Sequence, residues 1–194
     1  ANTVADAITL YCAENNTGEF KDKFITFSSR ARLIDVGHKK SLHDKLKLLA
    51  INDDCSNTNI ENVFNLILDT AVKNNMKKEE MPKTVLIVSD MEFDFVRPRS
   101  YYKCDVSTRE AVLFEEIGKR FSEAGYELPK LVFWNVNSRT NTIPLTQNES
   151  GVILLSGFSK NLMSMVMSSE LDPYKALVNG LESPRYNVVD KIYE

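Results

Sequence analysis

A short apolar run that ends abruptly in polar residues is the feature that most constrains the fold. Residues 85–88 are all apolar, three of the four are β-branched, and Ser89 and Asp90 follow directly. A continuous apolar run of this length is typical of a strand that is buried on both faces of a sheet. Ligands of open α/β sheets gather at the carboxyl ends of the strands, so Asp90 is a candidate binding residue. The alternative is that Asp90 only solvates the end of the strand.

Strands and helices alternate along the chain around this run. Strands are predicted at residues 23–28, 32–36, 84–88, 131–134 and 152–155, with a last edge strand at 186–190. Helices are predicted at residues 3–15, where Val4, Ala7, Ile8 and Tyr11 recur at helical spacing, and from Ser41, Ile60, Ser107, Ser159 and Asp172. This order predicts one α/β domain over residues 1–194, with a doubly wound, mostly parallel, Rossmann-like sheet and helices on both faces. The close pair 23–28 and 32–36 is predicted to be an antiparallel hairpin.

Composition narrows the class of function. The net charge of −3 argues against a basic nucleic-acid-binding surface over the whole domain. The three cysteines form no C-x-x-C pair and only two histidines occur, so neither a disulfide framework nor a structural zinc site is expected, and a reducing, cytoplasmic compartment fits best. No apolar run reaches eighteen residues, so no membrane span is predicted. Because the chain starts at Ala1 within a helical pattern, we expect a fragment of a longer protein.

Several motifs carry a resemblance to a known family. The most specific are Ser89-Asp-Met-Glu-Phe-Asp94 and Ser156-Gly-Phe-Ser-Lys-Asn161, supported by residues 23–29, 57–59 and 131–135. With these motifs the chain resembles the von Willebrand factor type A domain over essentially its whole length. It is most similar to the type A domain of Ro-like (TROVE-like) ribonucleoprotein proteins and of an uncharacterised Ro-like family.

The resemblance implies a metal-ion-dependent adhesion site at the carboxyl edge of the sheet. Such a site uses a D-x-S-x-S motif, a threonine and an aspartate; Thr58 matches the threonine and Asp90 the aspartate, whereas D-x-S-x-S does not occur in this sequence. Residues that would support these ligands are Asp53, Asp54, Asn57, Ser89 and Glu92. The alternative for Thr58 is a helix-capping box with Glu61.

The absent motif also implies an absent strand. In the type A order, the first strand lies in the centre of the sheet, between residues 23–28 and 84–88. Without it, two strands would keep unpaired backbone groups, which are costly when buried. Either polypeptide outside this chain supplies the strand, or another segment such as residues 186–190 takes its place.

These observations predict a non-catalytic interaction module. Oxygen ligands from Thr58 and Asp90 suit Mg²⁺ or Mn²⁺, and two such ligands alone would bind the ion weakly. The expected partner is a protein: an upstream strand, or a helical-repeat domain of the full-length protein. RNA is expected only as an indirect partner and a membrane is not expected.

Two other functions stay open on the same residues. Asp90, Glu92 and Asp94 alternate, and clustered carboxylates can hold two metal ions in a nuclease or phosphatase. A scaffold in a Ro-like, RNA-associated particle is the other alternative, on the resemblance alone.

A possible anion seat lies further along the chain. The N–H groups around Ser156, Gly157 and Ser159 precede a predicted helix, and helix N-termini attract anions. The alternative is a plain strand-to-helix turn in which Ser159 caps the helix.

Overall fold

The structure is a computed structural model that describes most of the chain. The described residues are 2–26, 30–52, 60–89, 106–136, 145–147, 152–157 and 160–168, together with 172, 174, 175, 178 and 182.

Five helices and six strands occur within these residues. The helices are α1 (Asn2–Glu14), α2 (Leu42–Asn52), α3 (Ile60–Lys73), α4 (Val106–Glu123) and α5 (Lys160–Ser168). The strands are β1 (Lys23–Ile25), β2 (Leu33–Asp35), β3 (Thr84–Ser89), β4 (Lys130–Asn135), β5 (Leu145–Gln147) and β6 (Ile153–Ser156). Short 3-10 turns at Gly18–Phe20 and Lys78–Glu80 precede β1 and β3.

The strands form two separate sheets. The larger has the order β3-β4-β6-β5, in which β3, β4 and β6 run parallel and β5 runs antiparallel to β6. The smaller is the antiparallel pair of β1 and β2, with Phe24 opposite Ile34. The α/β class and the predicted hairpin are therefore confirmed.

Strand β4 lies inside the larger sheet and is covered on both faces. Leu131 and Phe133 pack into one core cluster with α3 and α4, whereas Val132 and Trp134 pack into another with α1 and α5. All four side chains are buried. Because successive side chains of a strand point to opposite faces, this division places helices on both sides of the sheet.

Helix α3 follows its sequence pattern closely. Its buried side chains are Val63, Phe64, Ile67, Leu68 and Ala71. From Phe64 onward they recur at i, i+3, i+4 and i+7, as an amphipathic helix requires, and Val63 lies beside them on the same face. The fully buried Phe64 ring meets the rings of Phe114 and Phe121 edge-on, each with a centroid separation of 6.2 Å.

The helix at residues 3–15 is present as α1, but its predicted face is wrong in part. Tyr11 is 49% exposed and Ala7 is exposed, whereas Ile8, Leu10 and Ala13 are buried. The reason is that α1 contacts both sheets. Ile8 belongs to the β4–β6 cluster, whereas Leu10 and Ala13 belong to a cluster that contains α2 and Phe24 of β1.

Strand β5 was not predicted. It has three residues, Leu145–Gln147, and only one of them is apolar, so no two-residue periodicity is visible. Residues 186–190, predicted as an edge strand, lie outside the described residues. No helix in the described part of the chain is long and apolar enough to cross a membrane.

Candidate functional site

The carboxyl ends of three parallel strands form one polar edge. Ser89 of β3 is in register with Asn135 of β4, which is in register with Ser156 of β6. Just beyond, Trp134 Nε1 donates a 2.7 Å hydrogen bond to the carbonyl of Gly157. The backbone at this edge is therefore ordered by a bond from the central strand.

Most residues of the predicted metal site are outside the described part of the chain. Ser89 is the last residue of β3, which extends one residue beyond the predicted strand 84–88. The remaining members, and the third carboxylate of the nuclease alternative, lie outside the described residues: Thr58, Asp90, Asp53, Asp54, Asn57, Glu92 and Asp94. The divalent-cation site and the carboxylate cluster both stay predictions.

The predicted anion seat is described only in part. Ser156 ends β6, and Gly157 follows with φ +90°, a left-handed conformation that suits glycine. The N–H of Gly157 donates to the carbonyl of Asn135 at 2.9 Å, so this N–H is already used. Ser159 lies outside the described residues, and an anion there would depend on groups beyond Gly157.

A groove lies between the two sheets. Strands β1 and β3 are not hydrogen-bonded to each other, and a cavity of about 230 Å³ lies between them. We call it the β1–β3 groove. Its lining comes from α1, α3, the strands β1, β2 and β3, and nearby turns: Thr9, Cys12, Ala13, Asn16, Phe20, Lys23, Phe24, Ile25, Leu33, Val63, Ile67, Pro82, Thr84, Val85, Leu86, Ile87 and Val88.

Two helices close the groove on opposite sides. From α1, Thr9, Cys12 and Ala13 reach it at the spacing i, i+3, i+4, which is one helical face. Asn16, just after the helix, also lines it. From α3, Val63 and Ile67 reach it at i and i+4. The groove is thus bounded by helices on two sides and by strands at two edges, as the position of a strand inside an α/β sheet is.

The β3 edge of the groove carries backbone groups that β4 does not use. The carbonyl of Lys83 accepts the N–H of Lys130 at 2.9 Å, which fixes the side of β3 that faces β4. Because successive residues of a strand direct their backbone groups to alternate edges, those of Thr84, Leu86 and Val88 point away from β4.

The β1 edge of the groove also carries backbone groups that point away from its paired strand, β2. The N–H of Thr26 donates to the carbonyl of Arg32 at 2.9 Å, and that of Val36 donates to Asp22 at 2.8 Å. The even-numbered residues of β1 therefore face β2, and the backbone groups of Lys23 and Ile25 point to the other edge.

Two side chains in the groove show the effect of burial. The Thr84 hydroxyl oxygen is buried and has no hydrogen-bond partner within the part of the chain that the structure describes. Burial also raises the pKa of the Cys12 thiol to about 11, so the thiol is neutral near pH 7. An unpaired buried hydroxyl costs roughly 1–3 kcal/mol, which an occupant with a donor or acceptor would offset.

None of Thr9, Cys12 and Thr84 has the sequence signature of a binding residue, so none was predicted as one.

Comparison with known proteins assigns the chain to one family. The model of a family described as a domain of unknown function, DUF7788, matches residues 2–183. The chain is also 33% identical over 181 residues to the uncharacterised protein L728 of Acanthamoeba polyphaga mimivirus. That match covers 92% of this chain and 30% of the viral protein. No solved structure matches.

These matches overturn the resemblance to type A and Ro-like domains. The matching family model is not a type A or Ro-like model, and the viral relative is uncharacterised. The resemblance was wrong because its motifs are short polar stretches at strand ends, a feature that many α/β sheets share. The match over residues 2–183 shows that the chain belongs to the DUF7788 family of domains of unknown function.

Proposed function

We propose that this chain is a non-catalytic protein-interaction domain whose binding site is the β1–β3 groove. The observation that carries the proposal is the combination of an apolar interior with edge backbone groups that point away from β2 and β4 and have no partner strand among the described residues. Val63 and Ile67 from α3 and Ala13 from α1 supply apolar walls. Recognition by main-chain hydrogen bonds and apolar pockets is one of the recurring ways in which proteins bind peptides.

The chemistry of the groove favours a polypeptide over a small apolar ligand. A hydrocarbon-like ligand would fill the cavity but would leave the edge N–H and C=O groups and the Thr84 hydroxyl unpaired. A polypeptide supplies both apolar side chains and backbone donors and acceptors. A scaffold for RNA is not part of the proposal, because the Ro-like resemblance that suggested it is overturned.

Peptide selection tests the proposal directly. Peptides selected from a displayed random library against the 194-residue chain would be synthesised, and their affinities measured by titration calorimetry. We expect Thr9→Trp, which adds a large ring in the groove, to weaken binding by at least about tenfold. Ala7→Trp is the matched control, because Ala7 lies on the same helix, is exposed and does not line the groove.

The comparison of the two variants distinguishes peptide binding in the groove from binding elsewhere on the surface. Circular dichroism and thermal melting of both variants would show that each is folded. Selected peptides that bind Thr9→Trp as tightly as the unchanged protein, or no selectable peptide at all, would contradict the proposal.

A further inference from the structure

We infer that the occupant of the β1–β3 groove is an extended strand from a segment of the same polypeptide outside these 194 residues. It would pair with β1 on one edge and β3 on the other, and so join the two sheets into one. This inference rests on the proposed function and names the kind of partner.

The hydrogen-bonding groups at the two edges specify an extended backbone. Thr84, Leu86 and Val88 on β3, and Lys23 and Ile25 on β1, direct backbone groups into the space between the strands. A helix satisfies its own backbone groups internally and has none to offer. An extended segment presents N–H and C=O groups to both sides, which is what two facing edges require.

The two helical walls specify the side chains of the occupant. A strand in this position would have one face against α1, at Cys12 and Ala13, and the other against α3, at Val63 and Ile67. Strands covered on both faces have near-continuous apolar runs, in contrast to the alternating pattern of half-exposed strands. We therefore expect an uninterrupted apolar segment, of about the six residues that β3 itself has.

The length of the viral relative points to the source of the strand. The matched region is 30% of that relative, so more than two thirds of it lies outside the match. A covalently linked segment has a high effective concentration, which favours pairing with the two open strand edges. A separate protein would have to bind tightly from solution to cover the same surface.

A strand peptide tests the chemistry of the occupant. The probe is an acetylated, amidated peptide with the sequence of residues 83–89, because this segment already forms a strand that is covered on both faces. The readout is the alkylation rate of Cys12 in the 194-residue chain, followed by mass spectrometry of the fragment that contains it. We expect saturating peptide to slow alkylation by about tenfold, since the thiol lies in the groove.

Two control peptides separate a strand from other occupants. The same peptide with Leu86→Pro and Ile87→Pro keeps apolar character but loses a backbone donor on each edge, and we expect it to leave the rate within about twofold. A peptide of residues 60–73, the amphipathic helix of this chain, tests a helical occupant. If the proline peptide or the helical peptide protects Cys12 as well as the strand peptide, the strand inference is wrong while the groove remains a protein-binding site.

A second arm tests the source. Hydrogen exchange would be compared between the whole viral relative and its matched third, at the segment that aligns with β3. We expect slower exchange in the whole protein, and the strand peptide to slow exchange only in the isolated third. Equal exchange in both forms would overturn the inference that the strand comes from polypeptide outside the matched region.

Discussion

Cys12 links the environment of one side chain to the stability of the domain. Burial raises the pKa of its thiol from 9.0 to about 11. Between these values the unfolded chain has lost the proton that the folded chain still holds, so folding becomes less favourable as the pH rises. The stabilising contribution is complete below pH 9 and is lost as the pH approaches 11, with a total of about 2–3 kcal/mol.

Urea denaturation from pH 8 to 11 checks this prediction. We expect Cys12→Ala to remove the part of the alkaline decline that the thiol causes, so that its free energy of unfolding falls less steeply than that of the unchanged protein. Lysine and tyrosine ionisation affect both proteins alike and cancel in the difference. Parallel curves would show that the thiol titrates near its ordinary pKa in the folded state.

The predicted divalent-cation site also depends on a single residue, Asp90. If Asp90 and Thr58 bind Mg²⁺ or Mn²⁺, two protein ligands leave most of the coordination to water, and we expect a dissociation constant on the order of millimolar. Titration calorimetry with Mn²⁺ should show binding that Asp90→Ala abolishes. The control is Glu79→Ala, at an exposed carboxylate before β3. Equal heats for all three proteins would mean that Asp90 only solvates a strand end.

Among the elements, α3 has the most stringent packing. Phe64 of α3 is fully buried against α4, where it contacts the Phe114 and Phe121 rings. Phe64→Ala should lower the free energy of unfolding by about 3–5 kcal/mol, because it removes both the transfer energy and the ring contacts. Val72→Ala is the matched control on the same helix, since Val72 is 53% exposed, and we expect it to change stability by less than about 0.5 kcal/mol. The measurement is urea denaturation of both variants. Similar losses in the free energy of unfolding would contradict this packing.

The elements also show how far the sequence could predict the fold. The apolar spacing from Ile60 onward predicted a core face for α3 that includes Phe64, Ile67 and Ala71, which are buried because one helix face meets one core. The same spacing included Val72, which is 53% exposed because it lies at the edge of that face. The same reasoning misassigned Tyr11 in α1, because that helix contacts two sheets and its buried residues do not form a single stripe. Strand β5 is too short to show a period and depends on β6 for its hydrogen bonds.

The site was less predictable than the fold. The acidic residues that follow β3 in the sequence are typical ligands of a divalent cation, and they were therefore predicted as a site. The lining of the groove has no such signature: Thr9, Ala13 and Val63 become neighbours only when two helices and two strands from distant parts of the chain pack together. The slot between residues 23–28 and 84–88 was expected only from a resemblance that proved wrong, and the strand expected there is not among the described residues.

At the scale of the whole molecule, the two sheets share two helices, and among the described residues no hydrogen-bond ladder joins them. Side chains of α3 belong to one core cluster with Ile25 and Leu33 of the small sheet and Ile87 of the large one. Side chains of α1 belong to clusters with both sheets. This arrangement holds β1 and β3 on either side of one groove, and the matched region covers 30% of the viral relative.

The most direct test of this account is residue-resolved hydrogen exchange along β3, by NMR, with and without the strand peptide. The free chain should already protect the amides of Val85 and Ile87, which face β4. On peptide binding, we predict new protection at Thr84, Leu86 and Val88 and little change at their neighbours, since only alternate residues face the groove. Protection that is absent, or that rises equally at all five residues, would contradict a strand-binding groove between β1 and β3.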